Sequence, residues 1–177
     1  MRHLFLFLAL ILTQPVGADQ SAPPAEGNTM DNARLQALIE GIATDIEGQP
    51  GYWRFDIESF PVSVITDEKA DRMRIIVPVA EVGAMDAERL MRLMQANFDS
   101  ALDTRYSIAQ GLLWSAFIHP LSALSDRQFI DGLAQTVNLA ATYGSSYSSG
   151  ALIFSGGDSQ GEQDKIYRAI IERDSSI

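Results

Sequence analysis

The stretch that decides the fold is "RYSIAQGLLWSAFIHPLSALSDRQF", residues 105–129. It divides into three parts. "RYSIA" and "LLWSAFI" flank Gln110-Gly111 and read as a β-hairpin turning there, because glycine supplies the positive φ that a tight hairpin turn needs. Pro120 biases His119 toward extended geometry and closes the second strand. "SDRQ" then opens a helix: Ser125 and Gln128 have capping-box spacing, and Leu124 and Phe129 are placed as a hydrophobic staple. Phe129, Leu133, Val137 and Ala140 fall on one face of that helix, and Gly144 is a natural stop.

Upstream, the same reasoning gives two helices around a block of strands. A helix is expected from Asp31 to Ile46, with Asp31 as cap, Met30 and Leu35 as staple, and Leu35, Leu38, Ile39, Ile42 and Ile46 on one face. "GQPG", residues 48–51, stops it. In "YWRFDIES", Trp53, Phe55 and Ile57 alternate with Arg54, Asp56 and Glu58, the pattern of a strand with one wet face. "VSVIT" (62–66) is a second strand and "DEKAD" a charged turn. "RMRIIVPV" is a third, with Met73, Ile75, Val77 and Val79 on one side; Pro78 marks an edge or a strand end, since it cannot donate to a ladder. A helix from Asp86 to about Leu102 follows, with Met85 and Leu90 as staple and Leu90, Met94, Phe98 and Ala101 as its inward stripe.

The two ends differ from this body. "MRH" is a short cationic start, "LFLFLALIL" (4–12) an apolar run, and Val16 and Ala18 sit at −3 and −1 of a cleavage point. Residues 1–18 are therefore expected to be a signal peptide, and the protein periplasmic or secreted. The apolar run is too short to span a bilayer, which takes about 20 residues. Residues 19–30 read as a flexible linker, and 145–177 as a Ser/Gly-rich tail with an apolar "ALIF" at 151–154 and a short helix near Glu162 to Arg173. The order is α-β-β-β-α-β-β-α. An α+β domain over 31–144 is expected, an antiparallel sheet of about five strands packed by helices.

The segment "RLMRLMQANFDSALDTRYSIAQGLLWSAFIHPLSALSDRQFIDGLAQTVNLAATYG" resembles the YbjN family within the type III secretion chaperone-like superfamily. A helix with an Asn-containing end runs into a hairpin, and the second strand leads through "HPLSALS" into a long helix. The resemblance covers residues 31–144 and rests on packing patterns. It implies a small, acidic, often dimeric protein that binds other polypeptides and has no established chemistry.

Composition narrows the function classes. The formal charge is −10, and the two lysines, Lys69 and Lys165, are far apart in sequence. Nucleic acid needs a basic patch to neutralise phosphate, so it is not an expected partner, and an anionic membrane is disfavoured in the same way. There is no cysteine, hence no disulfide and no thiol chemistry.

Candidate chemistry is sparse. His119 has Ser115, Ser122 and Ser125 nearby in sequence, so a Ser–His–acid set is formally possible, but no Gly-x-Ser-x-Gly elbow occurs. The better reading is structural: the ring ties the strand-to-helix loop by bonding a backbone carbonyl. "DSQGEQD" (158–164) offers oxygen ligands but misses the EF-hand pattern, and "SGGDSQGEQD" lacks the phosphate-loop lysine. Asp56 and Glu58 share a wet strand face and read as solvating. No catalytic, cofactor-binding or metal-binding residue is expected. The aromatics Trp53, Phe55, Trp114 and Phe117 are core candidates, except that Trp114 and Phe117 point to opposite faces of one strand, so one face carries a large aromatic that needs cover. That cover could be the tail, with "ALIF" adding to an open edge, or a second subunit, or a client. The leading expectation is an exported, non-enzymatic protein-binding domain that acts through apolar surface, by partner binding or as a homodimer. The alternative is a sensor or carrier of a small ligand, with a pocket between sheet and helices near Trp53 or Trp114. A small hydrolase using His119 comes last.

Overall fold

The computed structural model describes residues 29–99, 101–144 and 168–170. The segment expected to be a signal peptide (1–18), most of the expected linker, "ALIF", the 158–164 loop and nearly all of the tail lie outside the described residues. Helix α1 (Asn32–Ile42) is followed by strands β1 (Glu47–Gln49), β2 (Tyr52–Ile57), β3 (Phe60–Asp67) and β4 (Arg72–Glu81). Helix α2 (Ala87–Asp99), strands β5 (Arg105–Ala109) and β6 (Leu112–His119), and helix α3 (Asp126–Ala141) complete the domain. The six strands form one sheet in the order β1-β2-β3-β4-β6-β5, with every neighbouring pair antiparallel.

The helix starts are those the sequence specifies. Asp31 accepts from the Arg34 N–H at 2.8 Å, and Asp86 accepts from the Arg89 N–H at 2.8 Å. Ser125 and Gln128 form the reciprocal box, with the Ser125 N–H donating to Gln128 Oε1 at 2.9 Å. The staple residues Met30, Leu35, Leu124 and Phe129 are all buried. The β5–β6 hairpin turns at Gln110 (φ 53°) and Gly111 (φ 77°), the two positive φ values of a type I′ turn.

Four expectations need correction. First, α1 ends at Ile42, four residues early. Ala43 is extended (φ −134°), and Ile46 packs on the core from outside the helix. Second, the sheet has a sixth strand, β1, which folds back on β2 through Pro50 and Gly51. Its Gly48 has φ 108°, and a Cβ there would stand 2.1 Å from the Tyr52 carbonyl oxygen. Third, Pro78 is on a strand with neighbours on both sides, yet it lies beyond the last β3–β4 pair, Ser63↔Ile76. Only β6 flanks it, and the register slips between Pro78 and Ala80. Fourth, Glu58 (φ 54°) is in the β2–β3 turn and does not share the face of Asp56.

The alternation in β2, β3, β4 and β6 sends Trp53, Phe55, Ile57, Val62, Val64, Met73, Ile75, Val77, Leu113 and Phe117 to one side of the sheet. There α1 and α3 close the main core, which also takes Ile170 from the helical turn 168–170. A second, smaller cluster lies under α2 and joins Leu93 and Ala96 to Tyr106, Leu113 and Leu139. Gly132 of α3 faces the Phe117 ring so closely that a Cβ would sit 2.7 Å from it. Arg34 of α1 pairs with Asp126 at the start of α3, at 2.7 Å, and the pairing raises the arginine's pKa.

Candidate protein-binding surfaces

His119 lies at the end of β6. Its ring stacks on Phe117, with centroids 5.9 Å apart and planes 15° from parallel, and Nδ1 is 2.8 Å from the Pro120 carbonyl oxygen. The three nearby serines are engaged elsewhere. Ser115 Oγ donates to the Thr136 carbonyl at 2.8 Å, Ser122 Oγ donates to Asp71 at 2.9 Å, and Ser125 caps α3. These residues form no nucleophile–base–acid set. Asp71 is instead a tie. Its carboxylate accepts from the Ser122 backbone N–H at 2.6 Å as well as from the hydroxyl, and it binds the β3–β4 turn to the loop before α3. Those two bonds, backbone first, hold its carboxyl below the usual range.

Of the four aromatics, Trp53, Phe55 and Phe117 are buried core. The Trp53 indole N–H donates to the Gln36 side chain of α1. Trp114 is the exception and points to the opposite side of the sheet, where its N–H donates to the Ala109 carbonyl at 3.0 Å. No helix of the described residues covers that outer face. A polar cleft of about 300 Å³, lined by Asp45, Glu47, Arg54, Asp56 and Pro61 among others, opens at the β1–β2 edge. Neither tryptophan lines it, so it is not the sheet–helix pocket expected of a ligand carrier. Among the described residues no three His, Cys, Asp or Glu side chains group as metal ligands, and no helix is long and apolar enough to cross a membrane.

Helix α2 shows a different arrangement from the expected stripe. Leu90 and Ala101 pack on the smaller cluster as anticipated, but Leu93 and Ala96 are its buried residues. Met94 and Phe98 point away from the sheet. With Met91 they form a second apolar stripe, exposed by 61% (Met91), 49% (Met94) and 81% (Phe98); the helix ends at Asp99, short of the expected Leu102, which lies beyond it and is 47% exposed. The helix is apolar on two sides. Asn97, on the sheet side, fixes this orientation. Its amide donates to the Tyr106 carbonyl at 3.1 Å and accepts from the Tyr106 N–H at 2.6 Å. β5 is an outer strand of the sheet, so the Asn97 amide fills the place of a neighbouring strand at Tyr106. The Tyr106 hydroxyl anchors the strand further by donating to the Leu139 carbonyl at 2.8 Å. Sequence reading missed Asn97 and the outward stripe. The stripe's signal, Met91-x-x-Met94-x-x-x-Phe98, was present in helical spacing.

The fold is similar to that of a chain in a solved chaperone–effector complex. A chain of the HopA1–SchA chaperone–effector complex superposes with a TM-score of 0.50 at 12% identity, over 63% of this chain and 94% of that one. A chain of the complex between the Yersinia pestis type III secretion chaperone SycH and a fragment of YscM2 gives 0.49 at 14% identity, over 63% and 97%. A chain of the ExsC–ExsE complex gives 0.47 at 15% identity, over 63% and 92%. No protein-family model matches the chain, and no curated protein matches it. At 12% identity the first of these likenesses shows the fold alone: an α+β domain, here with a six-stranded antiparallel sheet.

Proposed function

We propose that this chain is an exported, non-enzymatic protein-binding domain of chaperone or adaptor kind, YbjN-like over residues 31–144, that works as a homodimer joined through the outward face of α2. The observation that carries the proposal is the exposed stripe Met91, Met94 and Phe98. A contiguous apolar surface on a folded domain marks an interaction site. The charges around the stripe suit a second copy. Arg89 and Arg92 lie in its first half, and Asp99 and Asp103 at its far end. A two-fold axis crossing the helix near its middle sets each copy's arginines beside the other's aspartates. The only α2 charge pair among the described residues is local, Arg92 with Glu88.

The origin of one solved structure of this fold in a chaperone–effector complex is consistent with a polypeptide partner. So is the engagement of the serines near His119 in structural bonds. Residues 1–18 would direct export, with the mature chain starting at Asp19. The test is mild cross-linking of the tagged chain in the periplasm, followed by isolation and mass determination. One polypeptide partner in fixed ratio to a dimer is the expected result, with an N-terminus at Asp19. A lone chain, uncross-linked to itself or to any other protein, would overturn the proposal.

A further inference from the structure

Sulfur in this chain is methionine alone, since it has no cysteine. Its six methionines are unevenly placed. Met30 and Met73 are sealed in the main core, at 2% and 1% exposure, and Met85 packs on the smaller cluster. Met1 lies outside the described residues. Met91 and Met94 are 61% and 49% exposed, one helical turn apart on the outward stripe of α2, with Phe98 a further turn along. Among the described residues, the two methionines in open contact with solvent are therefore both on the face assigned to self-association.

We propose that Met91 and Met94 are a site of reversible oxidation by peroxide, and that their sulfoxides separate the two chains. The inference rests on the α2 homodimer proposed above and adds its regulation. The thioether sulfur donates an electron pair to one oxygen of hydrogen peroxide. An S–O bond forms, the O–O bond breaks, and the second oxygen leaves as water after proton transfer. Sulfur loses two electrons and the peroxide gains them. The product is a polar, chiral side chain in place of a flexible apolar one. Burying its oxygen against apolar partners such as Phe98 costs the desolvation of a strong acceptor. A two-fold axis repeats that cost, because both chains present the same stripe. In the dimer the stripe is covered, so oxidant reaches it in the dissociated chain, and each sulfoxide withdraws that chain from the equilibrium. Met30 and Met73 are shielded by the core, so the domain stays folded at a dose that modifies the stripe. The lack of cysteine matters twice. No thiol in the chain competes for peroxide, and none can reduce the sulfoxide, so reversal takes an external thiol-dependent reductase. The export proposed above would place the chain in an oxidising compartment.

The test treats the full chain with dilute hydrogen peroxide, follows each methionine by peptide mass spectrometry and reads the solution mass by light scattering. Met91 and Met94 are expected to gain oxygen about tenfold faster than Met30 and Met73, as their exposure directs. The oxidised protein is expected to have the mass of one chain with unchanged helix content. Methionine sulfoxide reductase with dithiothreitol is expected to restore the mass of two. Met91→Gln/Met94→Gln sets polar groups of similar length on the stripe without oxidant, and is expected to have the mass of one chain. Oxidation of all four methionines at one rate, or a two-chain mass that survives both sulfoxides or the double substitution, would overturn the inference and leave the dimer standing. So would a two-chain mass lost before either sulfoxide forms. A one-chain mass in the untreated parent would overturn the dimer and its regulation together.

Discussion

Replacing Asn97 with alanine removes two hydrogen bonds at once, and the structure sets the size of the loss. The amide satisfies both the N–H and the C=O of Tyr106 on the outer edge of β5. Each such bond contributes about 1 kcal/mol net, so the pair is worth about 2 kcal/mol. The site is half-buried, and water can reach the freed edge, so the expected cost is about 1–2 kcal/mol. For a domain of this size that lowers Tm by roughly 4–8 °C. The assay is urea unfolding followed by tryptophan fluorescence, at one fixed protein concentration, since the proposed self-association would add to apparent stability. The midpoint should fall with an unchanged slope. Asn97→Asp keeps an acceptor for the Tyr106 N–H but sets a carboxylate oxygen against the carbonyl, so it should recover none of the loss at pH 7. Amide hydrogen exchange at Tyr106 should accelerate in both variants. If Asn97→Ala unfolds within 0.3 kcal/mol of the parent, about the noise of such comparisons, the amide does not hold β5 and the reasoning fails.

Two other predictions concern the loop after β6. Asp71 has a depressed pKa, so its contribution is present above the unfolded value of about 3.8 and is lost as pH falls through the folded value below it. The stability gap between the parent and Asp71→Asn, which keeps the left-handed backbone that asparagine tolerates, should be constant near neutrality and shrink below about pH 4; a gap that persists unchanged at pH 2.5 contradicts the tie. His119→Ala should cost about 1 kcal/mol through the lost stacking on Phe117 and the lost Pro120 contact, and leave partner capture and oligomeric mass unchanged. Loss of partner capture at full stability would give the histidine a functional role.

Much of the fold was legible because local signals agreed with one another. Asp31, Asp86 and the Ser125/Gln128 box fix three helix starts, and the alternation from Trp53 to Ile57 fixes which side of β2 is wet. β1 escaped because Glu47–Gln49 is exposed throughout and has no alternation to read. The residues before it looked helical because Ile46 keeps the spacing of Ile39 and Ile42, although it reaches the core by another route. Helix α2 shows a limit of periodicity. When Leu90, Leu93 and Ala96 lie on one side and Met91, Met94 and Phe98 on the other, an apolar pattern does not say which side meets the sheet. A single contact between consecutive elements decides it, Asn97 on Tyr106, and one polar contact of that kind leaves no pattern in sequence. The same holds for Asp71 and Ser122. That Trp114 and Phe117 face opposite ways did follow from strand alternation alone, and it led to the face that no helix of the described residues covers.

The central claim is the proposed homodimer joined through α2, and its most direct test is the mass of the chain in solution by light scattering, beside that of Phe98→Glu. The parent should have the mass of two chains. The variant should have the mass of one, with the helix content and unfolding cooperativity of a folded domain, because a carboxylate at a position that is 81% exposed in the single chain harms only the interface. A single-chain mass for the parent, or a two-chain mass that survives Phe98→Glu, would contradict the account.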